Sequence, residues 1–426
     1  MTASTTDGNG SESPAQYAPT LFPELTTHDV MVRGKAHYTP NYRQAPVVLT
    51  RGEGVWLWDR DGKRYLDMVA GIAVCSLGYS HPRLSRAVAD QANTLIHTSG
   101  LFHNEPAVAL MDELTRVSFA DRVFFANSGA EANEAALKLA KRYRSVVKGQ
   151  PERNHVLAFN KSFHGRTLAT ISVTGQPKYH KGFEPLVPGI HFADFGDLEG
   201  VTATLDRAEG KIATLIIEPI QCEGGLNMPP DAFLRGLRKL CDERDMVLIF
   251  DEVQTGVART GEWFCYEHYD VTPDIMSLAK GIGGGVPLGA MLAREEVAQA
   301  FQPGTHASTF GGNPLATRAG YEVLRTIEDD NLLDHIYETG QYLEKQLRSL
   351  IKTHSDKCVE QRGVGLLRGL QLEGDLAKEV VGMARDRGML LNTIAGHTLR
   401  MVPPLIIQPG HIDVAVEIID DCLKSL

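Results

Sequence analysis

The middle of this 426-residue chain predicts an α/β domain built on a mostly parallel central sheet flanked by helices. Short β-rich runs alternate with segments of helical period from about Asp121 onward. Several of those runs are continuously apolar, as strands buried on both faces of a sheet are. Helix-rich and strand-like stretches at the two ends of the chain add a smaller α+β domain, assembled from both ends.

The elements follow in order. Residues 1–20 are rich in Ser, Thr, Gly, Asn and Pro and are expected to form a disordered tail, with neither an apolar signal region nor an Arg-rich transit pattern. Residues 54–67 read as a β-hairpin around the turn Asp61-Gly62. Candidate strands cover 123–126, 156–159, 215–218, 246–250 and 275–278, with helices at 130–147 and 232–244 between them. Residues 321–327 and 332–352 are amphipathic helices, 365–372 is strand-like, and a last helix lies near 411–426. The expected division is a tail over 1–20, the first part of the small domain over 21–76, the large domain over 77–314, and the rest of the small domain over 315–426.

Composition narrows the function. The chain is 43% hydrophobic and 23% charged with a formal net charge of −10, and no run of Lys and Arg suggests a nucleic-acid or membrane surface. The six cysteines are scattered, without a CxxC pair or a zinc-type cluster, which fits a reducing compartment. No apolar stretch approaches the length of a membrane span. A soluble, cytoplasmic protein without a metal is expected.

Three constellations carry chemistry. Asn127-Ser128-Gly129-Ala130 sits between a strand and a helix, where the unpaired N–H groups and dipole of a helix N-terminus can hold a phosphate; Ser128 could equally be a plain cap. Asp251 follows five apolar residues, at the strand end where open α/β sheets place their ligands. A magnesium role would need a GxxxxGK[ST] loop, and none is present, so a buried cation such as a protonated pyridine nitrogen is the expected partner. Lys280 also follows an apolar run and precedes Gly281-Ile282-Gly283-Gly284-Gly285. Desolvation there would depress its pKa and free the amine for attack on carbonyls, although a surface lysine at a strand end has the same local pattern. Phosphate cradle, strand-end Asp and amine nucleophile together point to pyridoxal phosphate.

The chain resembles the class III, ornithine/acetylornithine-type aminotransferases from roughly Arg51 to the C-terminus. The resemblance is carried by the segments that begin at Asn127, Phe163, Glu218, Asp251, Ala279 and Thr309. It implies the type I fold of pyridoxal-phosphate enzymes and a homodimer with interfacial active sites. It implies cofactor contacts at Ser128, Gly129, Ala130, Phe163, His164, Asp251, Val253, Gln254 and Lys280, with Thr309 reaching over from the other subunit. Phe163 would stack on the ring, Val253 pack its opposite face, and Gln254 bond the ring hydroxyl.

Within the family the chain is most similar to the acetylornithine and succinylornithine group. That implies transfer of the δ-amino group of N2-acetyl-L-ornithine to 2-oxoglutarate, giving N-acetyl-L-glutamate 5-semialdehyde and L-glutamate in arginine metabolism. Arg166 would clamp the distal carboxylate, Arg400 the α-carboxylate of glutamate, and Glu223 would neutralise Arg400 when the δ-amine is bound; Arg400 in a structural ion pair is the plainer reading. Ile72 occupies the position of a Tyr that recognises free ornithine, and its apolar side chain suits an acylated nitrogen. Cys222 stands where the family usually has glycine, and a β-carbon there restricts the backbone that carries Glu223. Succinylornithine, succinyl-diaminopimelate, ornithine and 4-aminobutyrate remain alternative donors. An aminomutase or decarboxylase on the same fold is disfavoured by the two arginines. A non-catalytic cofactor-binding protein is disfavoured by Lys280 and Asp251, and a dehydrogenase by the lack of GxGxxG after an early strand.

Overall fold

A computed structural model describes residues 20–426. The expected tail, apart from Thr20, lies outside the described residues. The core is a seven-stranded sheet in the order Arg122–Ala126, Gly289–Ala293, Ile275–Leu278, Val247–Asp251, Ile212–Ile217, His155–Phe159, Ile190–Ala193. Gly289–Ala293 is antiparallel to both neighbours, and the other pairings are parallel. The strand Ile212–Ile217 is buried at every position, as a strand covered on both faces must be.

Helix Gly129–Arg142 lies against the sheet through Ala132, Ala135, Ala136, Leu139 and Ala140, whose short side chains allow a close approach. The Ser128 hydroxyl caps it by accepting from Glu131 N at 3.2 Å. The α-helix expected over 130–147 stops at Arg142 and continues as a π-turn, Tyr143–Val147. That wider turn carries the buried Arg144, whose Nη1 donates to Asp245 Oδ2 at 2.6 Å.

The two chain ends meet outside this sheet. The hairpin Trp56–Asp59 and Arg64–Asp67 forms with Leu57 opposite Tyr65, and Gly62 takes the φ of +85° that its turn needs. Met389–Leu390 adds to it in parallel, Met389 opposite Leu66. A second, antiparallel sheet has the order Cys358–Val364, Leu367–Leu372, Thr398–Met401, Asn392–Ile394. Helix Leu332–Thr353 packs on it, and the last helix, Pro409–Lys424, packs on Leu332–Thr353.

The sequence reading passes over two strands of the seven-stranded sheet. Gly289–Ala293 has no β-branched residue, so its extended form is set by pairing on both sides rather than by propensity. Ile190–Ala193 is a four-residue edge strand, too short to show a period. It carries His191, whose Nε2 lies 2.9 Å from Nδ1 of His155 on the adjacent strand. Burial, then the neighbouring His155 and Arg207, hold the His191 pKa below its usual 6.5. The unfolded chain therefore binds a proton near pH 6.5 that the folded chain refuses, and stability falls as pH drops through and below that value. Chemical denaturation of His191→Gln is expected to show a smaller loss of stability between pH 7 and 5.5 than the unsubstituted protein.

Candidate active site

The parallel strands deliver their C-terminal ends to one side of the sheet. Asp251 ends Val247–Asp251, Glu218 follows Ile212–Ile217, Lys280 lies two residues past Ile275–Leu278, and the loop 160–166 follows His155–Phe159. A cavity of about 420 Å³ opens where they meet. The expected cofactor residues Ser128, Gly129, Ala130, Phe163, His164, Asp251, Val253, Gln254 and Lys280 all line it, as do Arg166 and Glu223. Arg400 sits behind Glu223. Thr309 is exposed and outside the lining.

Asp251 is 4% exposed and held by a polar chain. Its Oδ2 accepts from Asn133 Nδ2 and from His164 Nδ1, both at 2.7 Å, and its Oδ1 from Val253 N at 3.1 Å. Ser277 in turn donates to Asn133 Oδ1 at 2.5 Å, which fixes the orientation of that amide. With the proton of His164 on Nδ1, its Nε2 is left buried and without a partner among the described residues. Oδ1 of Asp251, with one donor, keeps capacity to accept another.

Lys280 adopts φ +49°, a left-handed conformation that costs a side-chain-bearing residue on the order of 1 kcal/mol. Ser76 donates to the carbonyl of the next residue, Gly281, at 2.8 Å. The Lys280 amine makes no hydrogen bond or ion pair among the described residues. Burial lowers its pKa, and Arg400 works in the same direction against the opposing pull of Glu223. The direction of that shift agrees with the depressed pKa expected from the sequence.

Gly129 opens the helix beside Val253. A β-carbon at Gly129 would lie 2.7 Å from a Val253 methyl, so only glycine lets the helix start this close to the cavity floor. The first-turn N–H groups have no intrahelical acceptor, and the Ser128 hydroxyl caps that of Glu131.

Arg400, on Thr398–Met401, is 1% exposed. It forms an ion pair with Glu223 and donates to Gln254 Oε1 at 3.0 Å. Burial pushes the Glu223 pKa up, but Arg400 and Lys280 outweigh it and hold the carboxyl below its usual value. Gln254 is thus engaged by Arg400 and, through Nε2 at 3.4 Å, by Glu223. The Cys222 backbone is not in the left-handed region, so its β-carbon is accommodated, and Glu223 still reaches Arg400. Arg166 differs: it is exposed, makes no ion pair among the described residues, and stacks 3.9 Å over the Tyr179 ring. Ile72 is 43% exposed with φ +68° and lies outside the lining, which takes Val74 from that segment instead.

The sequence reading gave no site role to Glu218, Asn133 or Ser277. Glu218 lines the cavity and bridges two of its walls, Oε2 accepting from Phe163 N at 3.0 Å and Oε1 from Cys222 N at 3.3 Å. Burial, and then the charge of Asp251, push its pKa well above the usual value, against the two backbone N–H donors that pull it down. The available signal for Asn133 was a polar residue on the buried, alanine-rich face of its helix.

Comparison with known proteins is consistent along the chain. Residues 37–423 match the family described as aminotransferase class-III. The chain is 46% identical over 393 residues to an acetylornithine aminotransferase of Caldanaerobacter subterraneus subsp. tengcongensis, spanning 92% of this chain and 98% of that one. Its fold superposes on an ornithine aminotransferase from Toxoplasma gondii, described with partial occupancy of pyridoxal phosphate at the active site, with a TM-score of 0.90 at 33% identity, covering 95% and 96% of the two chains. It superposes on the acetylornithine aminotransferase from Elizabethkingia anophelis with a TM-score of 0.85 at 31% identity, covering 94% and 100%. With the family match and these near-full-length relatives in agreement, the chain belongs to the class-III, pyridoxal-phosphate-dependent aminotransferases.

Proposed function

We propose that this chain transfers the δ-amino group of N2-acetyl-L-ornithine to 2-oxoglutarate, producing N-acetyl-L-glutamate 5-semialdehyde and L-glutamate. The observation that carries the reading is the unequal state of two arginines. Arg400 is closed by Glu223, while Arg166 at the same cavity has no carboxylate partner among the described residues. A pocket with one open and one masked carboxylate site suits a donor with one carboxylate and a distal amine. Unmasking the second site then admits a dicarboxylate. The names of the relatives described above support the same donor.

The residues present fit the cofactor of the family. A helix start with no room for a β-carbon, a carboxylate with spare acceptor capacity, and a buried His164 Nε2 and a Lys280 amine that have no hydrogen-bond partner among the described residues are complementary to a phosphorylated pyridine aldehyde. When bound, pyridoxal phosphate supplies a carrier for the amino group and a sink for the electrons released at the substrate carbon. In this reading Ser128, Gly129 and Ala130 bind the phosphate, aided by Thr309 of a second copy. Phe163 and Val253 offer apolar surfaces to the ring, with His164 beside Asp251, and Gln254 binds its hydroxyl. Asp251 holds the proton of the pyridine nitrogen. Lys280 anchors the aldehyde carbon and, once displaced, moves a proton at Nζ, a role that its lowered pKa favours.

Arg166 binds the α-carboxylate of the acetylated donor and orients its far amine toward Lys280. Glu223 neutralises Arg400 during that half-reaction and swings away when glutamate arrives, leaving Arg400 to take its α-carboxylate by paired N–H donors. The same proposal includes the domain division near residues 76 and 314, a cytoplasmic location and a homodimer. No helix among the described residues is long and apolar enough to cross a membrane. Leu101, Phe102 and Phe310, 85%, 69% and 61% exposed in the single chain, support the homodimer as apolar surface for a second copy to cover.

A donor panel with 2-oxoglutarate tests the specificity. N-acetylornithine is expected to exceed ornithine and 4-aminobutyrate in kcat/KM, and a higher value for either competitor would refute the assignment. For Arg400→Ala, rapid-mixing absorbance of each half-reaction is expected to show roughly a tenfold to hundredfold loss with glutamate, the range of a lost charge-assisted contact, and a much smaller loss with N-acetylornithine. Equal losses would argue against the switch.

A further inference from the structure

Arg166 stands on an aromatic shelf. Its guanidinium carbon is 3.9 Å from the Tyr179 ring centroid and 5.4 Å from that of Phe163, and the two rings meet edge to face with centroids 5.9 Å apart. Neither Arg166 nor Lys178, whose Nζ lies 4.7 Å from the same Tyr179 ring, has a carboxylate partner among the described residues. The half-buried Tyr179 makes no hydrogen bond through its hydroxyl there, so its position is used for the ring alone.

The shelf is rigidly mounted. Gly175 bridges to Asn160 and donates to Ser162 Oγ at 3.0 Å, and Gln176 Nε2 reaches Ser162 O at 3.1 Å. Tyr179 N closes the following turn on Gln176 O at 2.9 Å. The segment bearing Tyr179 is thereby tied to the loop bearing Phe163 and Arg166. On the other side of Arg166, Thr167 donates to Glu134 Oε1 at 2.6 Å.

We propose that Tyr179 is a positioning and specificity-determining residue: its ring holds the flat face of the Arg166 guanidinium at the cavity mouth, leaving the N–H edge free for a substrate carboxylate. An exposed arginine otherwise samples many rotamers, and each must be lost when a carboxylate binds. Stacking removes part of that loss beforehand without occupying the donors, as an ion pair would. The inference rests on the reading of Arg166 as the distal carboxylate clamp.

The test uses the holoenzyme with Tyr179→Leu, Tyr179→Gln, Tyr179→Phe, Arg166→Ala and the Arg166→Ala/Tyr179→Leu pair. It measures KM and kcat for N-acetylornithine and, independently of turnover, glutarate binding by calorimetry. The ringless variants are expected to raise KM and weaken glutarate about threefold to tenfold, in the range of a cation–π contact. Their kcat should change less than about twofold, while Tyr179→Phe should behave as the unsubstituted enzyme because the hydroxyl is idle. In the Arg166→Ala background, removing the ring should add nothing. Two ringless variants guard against one that fails to fold, and melting midpoints identify it. Unchanged glutarate affinity in the folded ringless variants, or a full additional loss without Arg166, would overturn the role of Tyr179. Unchanged affinity in Arg166→Ala would instead remove the clamp reading on which it stands.

Discussion

The cost of placing charge where water is scarce organises this molecule. Asp251 closes a strand whose every residue is buried, and an unmet carboxylate there would cost several kcal/mol. Asn133, His164 and the Val253 N–H meet it, and Ser277 fixes Asn133 in turn. The same constraint raises the pKa of Glu218, pairs Arg400 with Glu223 and lowers the pKa of Lys280. Three groups at the cavity have no hydrogen-bond or ion-pair partner among the described residues: the Lys280 amine, the Nε2 of His164 and the Arg166 guanidinium.

The parallel sheet makes that convergence possible. Strands that run the same way deliver their following residues to one edge, so Glu218, Asp251 and Lys280 become neighbours although each belongs to a different strand end. The C-terminal sheet contributes Arg400 from the far side, through a strand whose partners, Leu367–Leu372 and Asn392–Ile394, are themselves antiparallel to it. The cavity is therefore lined mainly from the central sheet and backed at Glu223 by Arg400 of the C-terminal sheet.

Much of this was legible in the sequence, and for identifiable reasons. Asp251 and Lys280 stood out because each ends a run of apolar residues, a pattern that survives without any knowledge of the fold. The hairpin around Asp61-Gly62 and the cap at Ser128 are local chemistry and were readable locally. Asn133 was not, because its meaning depends on a carboxylate 118 positions away. Gly289–Ala293 was missed because pairing on both edges overrides its composition. The left-handed run at Ala70, Gly71, Ile72 and Ala73 was hidden for a similar reason: it is imposed by Asp67, which accepts from the N–H groups of Val69 and Ala70 at 2.8 and 3.0 Å and from Tyr79 OH at 2.5 Å. The exposed position of Thr309, outside the cavity lining, was not readable because the sequence pattern does not reveal where that loop lies relative to the cavity.

The central claim is that the buried amine and the buried carboxylate face one cofactor in one cavity. The most direct measurement is borohydride reduction of the pyridoxal-phosphate-loaded protein followed by peptide mass mapping. The account predicts a single stable phosphopyridoxyl adduct, on Lys280, with loss of the visible absorbance band. Labelling of a different lysine, or a Lys280 peptide left unmodified in fully loaded protein, would contradict it.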